Sequence, residues 1–303
     1  MVARVTNWNH PEIAEWEARG RRLAVEGPSL PAQEVFVVDV AAADASSDLE
    51  PLLVVHGFPT SSFDWAHLVD RLAARRRVVL VDLPGFGLSD KPDQPYSIAG
   101  AADAVQAVAD RLGLDRLALL THDMGDTVGG ELLARQAAGE WEVEVTRRVL
   151  TNGSIYIAMA QLTDGQLMLL SLPDERGANG PGPELLAMSL VATLAARHQG
   201  TVDMGAHAEL VCHDGGDTLL PRTIRYIEER RANEERFTGA IETHPSPLTV
   251  IWGPEDPIAV AAMTDRLLEA RPDARRTWVD GAGHYPQNED PDAYLAAVLD
   301  ALD

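Results

Sequence analysis

Short, nearly continuous apolar runs alternate with helix-length stretches along most of this chain. The apolar runs, which have the composition of buried strands, occupy residues 51–55, 77–82, 115–121, 148–151, 247–252 and 276–279. The intervening stretches, such as 99–112 and 124–138, have the length and composition of helices. Strands that are apolar on both faces and separated by helices indicate a mostly parallel sheet covered by helices on both sides. The expected fold class is therefore α/β.

The alternation is interrupted once, between residues 151 and 247, where no strand pattern occurs. A stretch of about ninety residues without a strand is far longer than an ordinary connection. We therefore expect a core made of residues 1–152 and 241–303, with a helical lid, or cap, inserted at residues 153–240. Ligands of open α/β sheets bind at the carboxyl ends of the strands, so a lid at this place would cover the site.

A candidate nucleophile, Asp123, follows the third apolar run within the sequence THDMG (121–125). A strand, a tight turn with small flanking residues and a helix together form a nucleophile elbow, although its central residue is usually Ser. The competing interpretation is that Asp123 only caps the following helix, which Asp does well. The five residues alone do not decide between the two.

Three further motifs favour the catalytic interpretation. The sequence His-Gly-Phe-Pro follows the first apolar run and offers the backbone N–H of Phe58 as an oxyanion donor, beside the N–H of Met124. Asp256 and His284 follow the last two apolar runs. The chain order nucleophile, acid, histidine predicts a catalytic triad of Asp123, Asp256 and His284.

These motifs resemble those of the α/β-hydrolase superfamily, in its epoxide hydrolase and haloalkane dehalogenase branch. Within that branch the chain looks most like epoxide hydrolase-like and mesoderm-specific-transcript-like proteins. The resemblance implies an α/β-hydrolase fold with an inserted helical cap, and a cis peptide bond before Pro59. The segments that carry it, spread over nearly the whole chain, are HGFPTSSFDW (56–65), DLPGFGLSDKP (82–92), HDMGD (122–126), LTNG (150–153), WGPEDP (252–257) and GHYPQNEDP (283–291).

An aspartate nucleophile restricts the chemistry. A carboxylate that attacks an ester carbonyl forms an anhydride, which reverts easily, whereas attack on an sp³ carbon with a leaving group forms an alkyl ester that water can hydrolyse. Asp123 therefore indicates a covalent alkyl-enzyme and either an epoxide, opened to a vicinal diol, or a carbon–halogen bond. His284, held by Asp256, would deprotonate the hydrolytic water.

The resemblance also bears on the leaving group. Dehalogenases of this branch typically carry Trp after the nucleophile, and many carry Asn after the His-Gly pair. This chain has Met124 and Phe58 at those positions, and Trp65 and Asn152 could replace the missing donors only in part. Epoxide opening is therefore the leading hypothesis, with a haloalkane or haloacid dehalogenase as the alternative.

An epoxide oxygen needs a proton donor from the lid, which in this branch is usually a pair of tyrosines or His with Tyr. The lid contains two tyrosines, of which Tyr226, in a helical pattern, resembles the second lid tyrosine of the family. Tyr156, just after the fourth strand, is the other candidate. A lid histidine, namely His198, His207 or His213, could serve as a partner.

Four further residues are expected to line the pocket because they adjoin these motifs: Trp65, His122, Asn152 and Tyr285. A third hypothesis is a hydrolase-fold protein with a binding or regulatory role. The complete set of Asp123, Asp256 and His284 argues against it, because a binding module needs no base.

Charge and cysteine content limit the possible partners. The chain has 25 Lys and Arg against 47 Asp and Glu, a formal net charge of −22, which argues against nucleic acids and anionic membranes. Cys212 is the single cysteine, and the histidines lack metal-ligand spacing. Residues 1–20 contain no apolar run, so we expect neither a signal peptide nor a membrane span there. We expect a cytoplasmic, cofactor-independent enzyme, monomer or homodimer, acting on a small apolar electrophile and water.

Overall fold

The computed structural model describes residues 7–303, so the first six residues of the N-terminal stretch discussed above lie outside it. Eight strands form one sheet. They are β1 (Gly20–Gly27), β2 (Leu30–Val40), β3 (Leu52–Val55), β4 (Val78–Val81), β5 (Arg116–His122), β6 (Glu144–Thr151), β7 (Leu248–Trp252) and β8 (Arg275–Trp278).

Helices connect and cover the strands. Those of the core are α1 (Pro11–Arg19), α2 (Val69–Leu72), α3 (Ile98–Arg111), α4 (Met124–Ala138), α11 (Ala262–Ala270), α12 (Pro286–Glu289) and α13 (Pro291–Leu302). Between β6 and β7 lie α5 (Asp164–Ser171), α6 (Gly182–Val191), α7 (Gly205–Cys212), α8 (Leu220–Thr223), α9 (Tyr226–Ala232) and α10 (Glu234–Thr243). Short 3-10 helices occupy Ser62–Trp65, Ile157–Met159 and His213–Leu219.

The strand order in the sheet is β1-β2-β4-β3-β5-β6-β7-β8. All neighbours from β4 to β8 are parallel, whereas β1 and β2 are antiparallel at one edge. The six predicted strands correspond to β3–β8, which confirms the mostly parallel α/β sheet. The edge hairpin was not predicted, because β1 is largely polar and has partly exposed residues along its length.

Both faces of the sheet are covered, as the apolar strands predicted. Leu53 and Val55 of β3 pack in one apolar cluster with residues of α3 and α4. Leu52 and Val54, which point the other way, pack with residues of α1 and α13. All four side chains are fully buried, so the middle of the sheet is packed on both faces beneath the loops at its carboxyl edge.

The segment between β6 and β7 contains only helices and loops, as predicted from the missing strand pattern. The helical pattern expected around Tyr226 is not one helix. It is divided into α8, α9 and α10, and Asn233, with φ −128° and ψ 27°, separates the last two. Among residues 7–303 no helix is long and apolar enough to cross a bilayer.

Candidate active site

The turn between β5 and α4 holds Asp123 in an unusual backbone conformation, with φ 50° and ψ −114°. For a residue other than Gly such a conformation costs about 1–3 kcal/mol, so the surrounding structure must enforce it. Two glycines permit the close packing. A Cβ at Gly125 would lie 2.4 Å from the carbonyl oxygen of Val55, and a Cβ at Gly57 would lie 2.5 Å from the Cβ of Asp123.

The carboxylate of Asp123 does not cap α4. Its side chain accepts no hydrogen bond from the first turn of that helix. The backbone N–H of Phe58 instead donates to Asp123 Oδ2 at 2.9 Å. Met124 is the first residue of α4, so the partial positive charge of the helix N-terminus lies beside the carboxylate. The capping interpretation is therefore wrong for this residue.

His284 lies between two carboxylates. Its Nε2 is 3.9 Å from Asp123 Oδ1, and its Nδ1 is 2.8 Å from Asp256 Oδ2. Burial opposes the charged form of His284, but the carboxylates of Asp256, Asp123 and Glu289 outweigh it and raise the pKa of the imidazole to about 9. At neutral pH the resting site thus holds a protonated imidazole between two acidic groups.

Asp256 is held by three further hydrogen bonds. The backbone N–H groups of Ile258 and Ala259 donate to Oδ1 at 2.7 and 3.1 Å. Asn152 Nδ2 donates to Oδ2 at 2.8 Å. Asn152, which has φ 47°, also accepts from the N–H of Gly253 through its side-chain oxygen. Asn152 was expected in the pocket wall, but it is fully buried and orients the acid instead.

The other three expected pocket residues differ in position. Tyr285 and His284 both line one cavity, which we call the main cavity because it reaches the candidate triad. Trp65 and His122 are fully buried and, like Asp123 and Tyr226, are not among the residues that line that cavity, so the lining does not place them in the pocket wall. His122 Nε2 bonds to the carbonyl oxygen of His284 at 2.8 Å. Burial and the neighbouring His284 lower the pKa of His122 to about 4, so the neutral ring supports the backbone of His284.

A cavity of about 260 Å³ opens beside His284. Phe58, Tyr285 and Ile258 form its wall on the side of the core, and α5 and α6 of the lid form the opposite wall. The lid contributes mainly apolar side chains, including Leu169, Leu186 and Leu190. A cavity of this kind binds an apolar ligand and places it next to a few reactive polar groups, which here include His284.

The two lid tyrosines have different surroundings. Tyr226 begins α9, is buried, and has its ring 5.7 Å from the ring of Phe58. Burial and the charge of Asp123 raise the pKa of its hydroxyl, so it keeps its proton at neutral pH. The hydroxyl of Tyr156 donates to Glu242 at 2.7 Å. The hydroxyl of Tyr156 therefore points to α10 rather than to the cavity. The expectation that Tyr156 could be a lid acid was wrong.

None of the three lid histidines lines the main cavity. His198 Nε2 accepts from Arg197 at 2.9 Å. His213 has its ring 4.8 Å from the ring of Trp8. His207 is buried, with Nε2 3.4 Å from Asp64 Oδ1. The expectation that one of them partners a lid tyrosine finds no support in this geometry.

Sequence reasoning missed two acids that shape the site. Glu289 accepts from the N–H groups of Gly283 and Tyr285, on either side of His284, and from Ala195 of the lid. Asp126 accepts from the hydroxyl of Thr121, and burial raises its pKa well above the usual range. Both acids lie within motifs that carry the family resemblance, GHYPQNEDP and HDMGD. Their place in these motifs was the one sequence feature that could have identified them.

Comparison with known proteins identifies the fold of this site. A family model described as "Alpha/beta hydrolase family" matches residues 52–297. The chain is 34% identical to the putative hydrolase LipZ of Mycobacterium tuberculosis, over 96% of this chain and 98% of that protein. It is 31% identical to the mesoderm-specific transcript homolog protein of Homo sapiens, over 95% and 87% of the two chains. A solved esterase from Thermogutta terrifontis superposes with a TM-score of 0.73 at 18% identity, covering 92% and 97%. The α/β-hydrolase fold is confirmed.

Proposed function

Because this chain belongs to the alpha/beta hydrolase family, we propose that it forms a covalent alkyl ester at Asp123 and opens epoxides to vicinal diols. The observation that carries the proposal is a carboxylate, rather than a hydroxyl, at the elbow, 3.9 Å from His284 Nε2. A panel of aryl and alkyl epoxides, assayed for diol formation in parallel with halide release from haloalkanes, tests it directly.

The first step of the proposal is alkylation of the carboxylate. Asp123 Oδ2 accepts from Phe58, whereas Oδ1 is the oxygen nearest to His284. We assign Oδ1 as the attacking atom. It forms a bond to a ring carbon of the epoxide, the ring C–O bond breaks, and the ring oxygen takes a proton from a lid acid.

The second step is hydrolysis of the ester. His284 takes a proton from a water molecule, and the water oxygen attacks the carboxyl carbon of Asp123. The negative charge then develops on Oδ2, beside the N–H of Phe58 and the N-terminus of α4 at Met124. Collapse breaks the ester bond, and the diol leaves with the former Oδ1 atom, which takes the proton held by His284. The proton that remains on the regenerated carboxyl group of Asp123 then restores the deprotonated lid acid.

The charge of Asp123 links the two steps. Against the effect of burial, the carboxylates of Asp256 and Asp123 raise the pKa of His284 to about 9 in the resting enzyme, which opposes its action as a base. Formation of the ester removes the negative charge of Asp123, so the pKa of His284 falls at the moment when a base is needed.

The pH dependence of hydrolysis should show this change. Hydrolysis needs neutral His284, so its rate rises with pH and levels off above the pKa of the ester form, which we expect to lie below 9. Single-turnover hydrolysis rates measure that value, and nuclear magnetic resonance of the imidazole measures the pKa of His284 in the free enzyme. The same pKa in both states would contradict the charge linkage.

Tyr226 is the proposed proton donor. We expect Tyr226→Phe to lower epoxide turnover by about 10²-fold, because general acid catalysis contributes about 10²–10⁴-fold. Release of a halide needs no proton, so any halide turnover should change little. Tyr156→Phe is the matched control, because it removes a hydroxyl that is bonded to Glu242. Equal losses in both variants would argue against Tyr226 as the donor.

Halide displacement is the second candidate, because attack by Asp123 is common to both reactions and the described lid brings only one tyrosine near Asp123. The apolar cavity supports a small apolar electrophile as the substrate in either case. A cytoplasmic location without nucleic-acid or membrane partners is part of the proposal and rests on the net charge of −22.

A further inference from the structure

A series of buried polar side chains connects the lid to the wall of the main cavity. His207, on α7, has Nε2 3.4 Å from Asp64 Oδ1. The hydroxyl of Thr60 donates to Asp64 Oδ2 at 2.7 Å. Thr60 directly follows Pro59 in the sequence, and Pro59 lines the main cavity together with Tyr285. No step of the proposed reaction uses His207, Asp64 or Thr60.

Several polar atoms of this series lack a hydrogen-bond partner in the described protein. Among residues 7–303, no group forms a hydrogen bond with Asp64 Oδ1 or with either ring nitrogen of His207. Asp64 is fully buried, and His207 is 7% exposed. Buried polar atoms almost always have a hydrogen-bond partner, and ordered water supplies it where protein does not. The atoms at the junction of Asp64 and His207 therefore meet the polar requirement for binding an internal water.

The lid end of the series reaches a second surface cleft. This cleft, of about 270 Å³, is lined by His207 together with Trp16, Phe63, Ala66 and His67, among others. It shares no lining residue with the main cavity. The polar series thus runs from one opening of the molecule to the wall of the other.

Charge does not obstruct water in this series. Burial raises the pKa of the Asp64 carboxyl well above its usual range, which favours the neutral acid. Burial, with the neighbouring His67, lowers the pKa of His207 to about 4, so its ring is neutral at pH 7. Neutral groups that donate and accept hydrogen bonds can hold water without fixing it as tightly as ions do.

We propose that His207, Asp64 and Thr60 are positioning residues of a water passage, which supplies the hydrolytic water from the second cleft while the alkyl group fills the main cavity. This inference rests on the proposed function, because it assigns the source of water for hydrolysis of the ester at Asp123. The main cavity is largely apolar, so an alkyl chain bound there excludes water from the same side.

Single-turnover kinetics test the passage. In His207→Phe and Asp64→Leu we expect ester formation at close to the wild-type rate and hydrolysis slowed about tenfold, so the ester accumulates on Asp123. His207→Gln and Asp64→Asn keep polar atoms in place and should restore most of the hydrolysis rate. His198→Phe, in the same lid but bonded to Arg197, is the matched control and should change neither step.

Two kinetic results would overturn the proposal: an unchanged hydrolysis rate in His207→Phe, or an equal loss in both steps. A crystal structure of the wild-type protein gives an independent readout, even if Asp64→Leu does not fold or no ester forms. We expect an ordered water within hydrogen-bond distance of Asp64 Oδ1 and His207. If no water lies between or beside these two side chains, the passage is contradicted. If the water is present but no ester forms on Asp123, only the proposed reaction is contradicted.

Discussion

Asp123→Ala should abolish turnover of every electrophilic substrate, with a loss of about 10⁴-fold or more in kcat. The reason is that the first covalent bond forms at this carboxylate, which accepts a hydrogen bond from the N–H of Phe58. No other described side chain at the elbow can take its place as the nucleophile. Asp126→Asn is the matched control. Burial already favours the neutral form of Asp126, so the amide mimics it, and we expect a loss of about tenfold or less.

Isotope labelling identifies the attacking oxygen independently of the variants. In one turnover in ¹⁸O-water, the water oxygen enters the carboxyl group of Asp123, and the diol leaves with the unlabelled oxygen of Asp123. Mass spectrometry of the peptide that contains residues 122–126 should therefore find one ¹⁸O atom. Label in the product alone would mean that water attacks the substrate directly, and would sink the covalent mechanism.

The elements nearest to the candidate site were the ones that local sequence could predict. β3, β4 and β7 are buried at every position and β5 at all but its first, so their apolar runs are distinct in the sequence. The elbow around Asp123 was also predicted, because a strand, small residues and a helix lie within a few positions. The hairpin of β1 and β2 was missed, because its edge strand is polar and its position depends on pairing with β4.

Roles that depend on packing between distant residues could not be predicted. Asn152 orients Asp256 across 104 residues of sequence, and nothing near Asn152 indicates that partner. Asp64 and His207 meet only because α7 lies over the turn that follows β3. Tyr156 was plausible from its position after β6, but its hydrogen bond with Glu242 is decided by where α10 packs.

His284→Ala is expected to separate the two chemical steps. Asp123 keeps its hydrogen bond from Phe58 and can still attack, whereas no base remains to activate water, because the neighbouring His122 is bonded to the backbone of residue 284. We expect alkylation to continue and kcat to fall by about 10³–10⁴-fold, the upper range for loss of a general base. Intact-protein mass spectrometry should then find one substrate added per chain.

The double variant Asp123→Ala/His284→Ala supplies the control, because it lacks both the attacking oxygen and the base. An adduct in His284→Ala that is missing from the double variant assigns the ester to Asp123. A binding or regulatory protein would give no adduct in either variant, and an adduct that persists in the double variant would place the nucleophile elsewhere. The proposed site requires the first of these results, since Asp256 and Asn152 orient an imidazole that a binding protein does not need.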